Sequence, residues 1–252
     1  MDLQLAGKRV LVSGGTRGIG RAIVETFLDE GAAVSFCART AQHVTQTVED
    51  LAGRGTVHGT VADVGDDSAM ARWVAEAAEQ LGGIDVVVAN VSALAIPDTE
   101  ENWANSLNVD IMGTVRLVRE AMPHLRRSEA AAIVAISSVT GREADFASGP
   151  YGTAKTAIVG YVQGLAFQLA GQNIRANIVS PGNTFFPGGV WDSIKQNNRE
   201  LYDSALALNP TGRMGTPHEM ANAVVFLASP RASFISGTNL VVDGALTRGI
   251  QL

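Results

Sequence analysis

The chain has 252 residues, enough for one large α/β domain or two small ones. Hydrophobic residues make up 46% and charged residues 17%, which excludes the disordered and acidic-tail classes. A formal net charge of −6, with no stripe of Lys and Arg, argues against a nucleic-acid partner.

Met1–Leu5 lacks the basic region and apolar stretch of a signal peptide, and no apolar run reaches the roughly 18 residues of a membrane span. A cytoplasmic protein with no membrane partner is expected. The first β-branched run, Arg9–Ser13, predicts a strand, and a helical pattern follows over Gly18–Glu30, stopped by Gly31. Between them lies Ser13-Gly14-Gly15-Thr16-Arg17-Gly18-Ile19-Gly20. A glycine-rich turn that ends a strand and opens a helix lets a pyrophosphate approach the unpaired N–H groups of the helix terminus. Ser13, Gly14, Thr16, Arg17, Gly18, Ile19 and Gly20 are therefore candidate dinucleotide-binding residues.

The second strand is expected at Ala33–Ala38 and carries the single cysteine, Cys37, so an internal disulfide is impossible and a reducing compartment fits. An acidic residue at the end of such a strand usually holds the ribose 2′-hydroxyl of NAD, whereas a 2′-phosphate needs a cation. Here Ala38 stands at that place and Arg39 follows, with Arg17 facing from the glycine turn. Two guanidiniums without a carboxylate predict NADP(H).

A helix over Ala41–Leu51 and a strand over Thr56–Val61 lead to Asp63-Val64 and to Asp66, a helix cap for Asp67–Leu81. The fourth strand, Ile84–Ala89, ends in Asn90-Val91-Ser92, and a long helix is predicted over Trp103–Leu125. Within it Asn108 is a polar residue on an apolar face, which needs a partner. Arg126-Arg127 closes that helix, where cations favour the dipole.

The strand Ala131–Ser137 delivers Ser138 to the carboxyl edge of the sheet, where parallel sheets bind ligands. The next helix, Tyr151–Ala170, opens Tyr151-Gly152-Thr153-Ala154-Lys155. Four-residue spacing puts Tyr151 and Lys155 on one helix face, and a nearby ammonium makes a phenol, ordinarily of pKa about 10, a more useful acid/base. A strand over Ile174–Ser180 precedes Pro181-Gly182-Asn183-Thr184 and a stretch to Pro210 that is expected to be an irregular substrate loop with aromatics at Phe185, Phe186, Trp191 and Tyr202. A helix over Pro217–Ala228 and a strand over Asn239–Val242 complete the chain.

Strands alternating with helices predict a single α/β domain over 1–252: a Rossmann fold with a doubly wound, seven-stranded parallel sheet and helices on both faces. The scattered His43, His58, His124 and His218, with one cysteine, suggest no metal site.

The glycine spacing Gly14-x-x-x-Gly18-x-Gly20, Asn90, Asn108, Ser138 and Tyr151-x-x-x-Lys155 resemble, in this order, the classical short-chain dehydrogenase/reductase family, and within it 3-oxoacyl-carrier reductases. The resemblance runs from Gly7 to Gly244. It implies hydride transfer between NADP(H) and a secondary alcohol or ketone, with Tyr151 as acid/base, Ser138 holding the substrate oxygen, Lys155 holding the nicotinamide ribose and Asn108 binding a water beside Lys155. It also implies cofactor contacts from Asp63, Val64, Asn90, Pro181, Gly182 and Thr184, and a homo-oligomer of two or four subunits. This chain departs from the family at Ser13, at Val91-Ser92 and at Thr184, which comes earlier than the usual threonine. The aromatics, with Phe146, imply an apolar cyclic or acyl substrate. Two other readings stay open at this point, a nucleotide-binding regulator without turnover and an epimerase or dehydratase on the same core.

Overall fold

The computed structural model describes residues 1–249; Ile250–Leu252, which the single-domain reading includes, lie outside the described residues. Seven parallel strands form one sheet: β1 (Arg9–Ser13), β2 (Ala33–Ala38), β3 (Val57–Val61), β4 (Val86–Ala89), β5 (Ala132–Ile136), β6 (Arg175–Pro181) and β7 (Asn239–Val242). Their order is β3-β2-β1-β4-β5-β6-β7, so the winding reverses between β1 and β4. Every residue of β4 and β5 is buried, as expected for strands dry on both faces.

The helices are α1 (Gly18–Asp29), α2 (Ala41–Leu51), α3 (Asp67–Leu81), α4 (Glu100–Asn105), α5 (Gly113–Leu125), α6 (Pro150–Leu169), α7 (Val190–Asn197), α8 (Arg199–Ala207) and α9 (Pro217–Ala228). One face of the sheet is covered by an apolar cluster including Trp73 and Leu117 from α3 and α5 and Ile158 and Val162 from α6. The other is covered by Ile23 and Phe27 of α1 and Val224 and Val225 of α9. Local chemistry fixes the helix starts: Asp66 accepts the Ala69 N–H at 3.0 Å, and Thr216 with Glu219 forms a reciprocal capping box on α9.

Two expectations need correction. The predicted continuous helix Trp103–Leu125 is interrupted by a π-helical segment, Ser106–Met112, between α4 and α5. The stretch Pro181–Pro210 is not irregular throughout, because it contains α7 and α8. Trp191, Tyr202, Ala205 and Met214 form a small core of their own there, with Phe185, Ile194 and Leu206 packed against it.

The amino-terminal edge of the sheet is locked by Asp85. Its carboxylate accepts Arg9 Nε at 2.8 Å, Arg9 Nη2 at 2.7 Å, the Arg9 backbone N–H at 3.0 Å and the Ser128 hydroxyl at 2.6 Å. Burial pushes the Asp85 carboxyl up, but hydrogen bonds from Arg9 and Ser128 together with the Arg9 charge outweigh it and hold the group below the ordinary carboxylate range. A carboxyl depressed in the folded state contributes stability above its unfolded pKa of about 4, and that stability is lost as pH falls through the lower folded value. Asp85→Asn is therefore expected to cost about 2 kcal/mol at neutral pH and to flatten the acid limb of the stability profile, as measured by urea unfolding against pH.

Candidate active site

The carboxyl ends of the strands open into a cleft of about 820 Å³. Its dinucleotide half is built from the turn between β1 and α1. Gly14 takes φ +76° and donates its N–H to the Cys37 carbonyl at 2.8 Å, turning the chain sharply out of the sheet. A methyl group at Gly20 would stand 1.9 Å from the Gly14 carbonyl oxygen, so only glycine lets the helix begin this close to the strand. Gly14, Thr16, Arg17, Gly18, Ile19 and Gly20 all line the cleft. Ser13 stands behind it: its hydroxyl accepts the Asn90 backbone N–H at 2.9 Å, while the Asn90 amide donates to the carbonyls of Ser13 and Gly14 at 3.0 and 3.2 Å. Asn90 thus clasps β4 to the glycine turn, and Val91 packs onto Gly14 where a Cβ would be only 2.8 Å away.

Arg17 and Arg39 line the same end, both exposed, and among the described residues neither has an ion-pair partner. Asp63 and Val64 also line it, the Asp63 carboxylate accepting the Gly65 N–H at 2.8 Å. Cys37 reaches the cleft, but burial pushes its thiol up to about 12, which leaves it inert. A glycine cradle at a helix N-terminus with two unpaired cations at its rim fits a phosphorylated dinucleotide.

The other half of the cleft carries the titratable groups. Ser138 follows β5, Tyr151 and Lys155 project from the first turns of α6, and all three line the same wall. Pro150 at the first helical position starts α6 where its missing N–H costs nothing. Lys155 is 2% exposed; its ammonium donates to the Ile136 carbonyl at 3.1 Å and lies 5.6 Å from the centroid of the Tyr151 ring. The Ser138 hydroxyl donates to Thr140 Oγ1 at 3.3 Å, and Thr140 in turn donates to Asp145 at 2.7 Å. Ser137 does not face the cleft chemistry, because its hydroxyl is bonded to the Lys155 carbonyl at 2.8 Å.

Asn108 is not brought to Lys155. Its side chain is turned outward, donating to the Gly65 carbonyl at 3.3 Å and accepting from Arg116 at 2.9 Å. The place beside Lys155 belongs to Asp110, fully buried, with Oδ1 3.2 Å from the ammonium. Asp110 lies on the buried stripe Ser106, Asp110, Thr114, Leu117 and Ala121, with which Asn108 is out of phase; that periodicity was the available signal. Thr184 lines the cleft, and its hydroxyl donates to the Gly182 carbonyl at 3.0 Å. Pro181 and Gly182 remain on the cleft floor. Phe186, rather than a threonine, reaches across to the glycine turn, its ring 2.5 Å from where a Cβ on Gly18 would lie. The outer wall is apolar, with Phe146 set edge-on to Trp191 at 5.8 Å between ring centres.

Sheet order, glycine cradle and the Ser138–Tyr151–Lys155 wall define an α/β oxidoreductase of the dinucleotide-binding class. A family model described as enoyl-(acyl carrier protein) reductase matches residues 14–247, and the chain belongs to the short-chain dehydrogenase/reductase family. Isoepoxydon dehydrogenase patN of Penicillium expansum is 43% identical over 98% of this chain and 97% of its own length. Among solved structures, L-sorbose reductase from Gluconobacter frateurii, complexed with NADPH and L-sorbose, superposes with a TM-score of 0.91 at 26% identity, covering 99% of this chain and 100% of its own. A 7α-hydroxysteroid dehydrogenase complexed with NADH and a 7-oxo bile acid superposes with a TM-score of 0.90 at 26% identity, covering 97% of this chain and 96% of its own. The protein is an oxidoreductase that acts on CH–OH groups. No described helix is long and apolar enough to cross a membrane, and no cluster of three metal-ligating side chains occurs among the described residues.

Proposed function

We propose that the protein interconverts a secondary alcohol and a ketone with NADP(H), Tyr151 carrying the proton at the substrate oxygen. The observation that carries this reading is the buried Lys155 ammonium 5.6 Å from the Tyr151 ring, on the cleft wall that also holds Ser138. When bound, the cofactor supplies or takes up the hydride. Ser138 presents a hydroxyl toward the substrate oxygen and steadies the charge that develops there. Tyr151 gives its phenolic proton to that oxygen in reduction and removes it in oxidation. Lys155 favours the phenolate form after the proton has left and is placed to hold the nicotinamide ribose. A regulator would need none of these three groups in the cleft.

The choice of NADP(H) rests on Arg17 and Arg39, since related folds hold either NADPH or NADH and the residues at the 2′ position decide between them. Arg39→Asp is expected to narrow the preference for NADPH over NADH by at least about tenfold, or 1.4 kcal/mol, in fluorescence titrations of both nucleotides. Equal affinities in the unmutated protein would contradict the assignment.

The apolar wall of Phe146, Trp191, Leu94 and Ile96 favours a carbocyclic, aromatic or acyl carbonyl compound over a sugar. Its test is an absorbance assay of NADPH oxidation across cyclic ketones, quinones, steroids, 3-oxoacyl thioesters and ketoses; turnover confined to the ketoses would overturn it. In the same assay Tyr151→Phe is expected to lower kcat roughly 10²–10⁴-fold with NADPH binding unchanged. Retention of most activity would remove Tyr151 from the mechanism.

On the outer face of α6, Phe167 is 88% exposed and Gly160 and Gly164 leave a low surface beside it. This supports a homo-oligomer packed through α6. Light scattering is expected to give a multiple of the 26.3 kDa chain mass, and a monomer at micromolar concentration would rule it out.

A further inference from the structure

Phe186 sits where neither the core nor the chemistry above accounts for it. Among the described residues it belongs to none of the three apolar clusters, although its neighbour Phe185 packs against the smallest of them. Its ring is half-buried and lies in the cleft instead. The tip of the ring is 2.5 Å from the place that a Cβ on Gly18 would take, and its edge is 2.9 Å from the place of a Cβ on Gly189. One aromatic ring is thus seated between two bare backbones, at the start of α1 and at the start of α7.

The sequence makes room for this seat. Gly189 has φ −85° and ψ 177°, extended backbone that any residue adopts, so its conformation does not call for glycine; the space taken by the ring does. The chain before the ring is anchored, because the Phe185 N–H donates to the Gly215 carbonyl at 2.9 Å and the Gly215 N–H to the Asn183 carbonyl at 2.8 Å. The chain after it is a preset turn. In Phe186-Pro187-Gly188-Gly189 the Gly189 N–H donates to the Phe186 carbonyl at 3.0 Å, with proline in the second place and Gly188 at φ +74° in the third. With the backbone held on both sides, rotation of the side chain is the cheap way to leave the seat.

That seat coincides with a place the dinucleotide needs. Gly18 is the middle glycine of the cradle and the first residue of α1, bare so that a pyrophosphate can come against the backbone at the positive end of the helix. A ring in contact with Gly18 and a phosphate in contact with Gly18 exclude each other. The ring has no acceptor for the N–H groups of the helix terminus, whereas the anion does, so a dinucleotide at sufficient concentration displaces it.

We propose that Phe186 is a reversible occupant of the pyrophosphate seat: the chain covers its own cradle with the ring, and the dinucleotide binds by turning the ring out. This rests on the reading of Gly14–Gly20 as a dinucleotide cradle, and its test needs no turnover. Two variants vacate the seat by different routes. Phe186→Ala removes the ring, while Gly189→Ala keeps the ring and puts a methyl group where it sits. Wild type and both variants are mixed with NADPH in a stopped-flow fluorimeter that follows nicotinamide emission. Each is also titrated to equilibrium with NADPH and with 2′-phosphoadenosine, which carries the adenosine end without the pyrophosphate.

A seat filled about nine-tenths of the time lowers apparent affinity and association rate about tenfold. Both variants are therefore expected to bind NADPH about tenfold faster and correspondingly tighter, with the affinity for 2′-phosphoadenosine unchanged. Unchanged association in both variants overturns the proposal, and so does slower association, which would make the ring a roof over the bound dinucleotide. An equal gain for 2′-phosphoadenosine overturns it as well, since the effect would then lie away from the pyrophosphate. Should one variant not fold, the other decides. Equal binding by all three proteins leaves the cradle reading standing and sinks the proposal alone; no binding of NADPH or NADH by any of them sinks both.

Discussion

The arrangement of this protein follows from the burial of a parallel sheet on both faces. Helices must cover those faces, so the only free surface near the strands is at their ends, and the reversal of winding between β1 and β4 leaves a crevice at the carboxyl end. β1 and β4 are paired directly, and the segments that leave their carboxyl ends part around that crevice. Asn90 and Ser13 cross it: three hydrogen bonds join the end of β4 to the end of β1 and to Gly14. The position of α1, and with it the glycine cradle, depends on this clasp, because Gly20 and Gly14 are in backbone contact and move together.

The two halves of the cleft are built from different materials. In the dinucleotide half much of the surface is backbone, made available by glycines whose side chains are missing, with Arg17 and Arg39 adding positive charge and Asp63 negative charge. In the catalytic half the backbone serves to anchor side chains: Ile136 O fixes Lys155, and Ala93 N fixes Asp110. A backbone cradle tolerates almost no added atoms, whereas a side-chain constellation can be retuned by a single change of charge. The substrate wall is a third material. Its helices α7 and α8 pack on a small core of their own, and Lys195 and Arg199 lie over the rings of Phe185 and Tyr202, so this wall can vary without disturbing the sheet.

Much of this was legible in the sequence because the signals are local. Buried parallel strands read as continuous apolar runs, and Arg9–Ser13, Ala33–Ala38 and Asn239–Val242 occupy the residues that such runs mark. Glycine spacing, the Asp66 cap and the Tyr151–Lys155 separation are likewise short-range patterns. What was not legible depended on geometry that departs from the regular period. The π-helical segment widens the turn around Asp110, and a polar residue picked by its type, Asn108, points away from Lys155 toward Gly65 and Arg116. Density of proline and glycine around Pro181–Gly189 and Pro210 hid α7 and α8, whose apolar spacing at Trp191, Ile194, Tyr202 and Ala205 outweighs those breakers once the segment packs on itself.

The same π-helical segment connects fold and chemistry. A regular helix from Glu100 to Leu125 would satisfy its backbone internally and present one continuous stripe to α6. The widened turn instead brings a carboxylate into the interior at the level of Lys155, and the loop after β4 closes over it through Ala93. An ion pair in that place is poor value as stability, since desolvation offsets most of the attraction. Its effect is positional: the ammonium near the phenol is held in place from two sides. The residue that does this is set by the phase of a helix, while the residue it acts on is set by the start of another. Their meeting under the carboxyl edge of β5 places a buried ion pair on the wall that carries Tyr151.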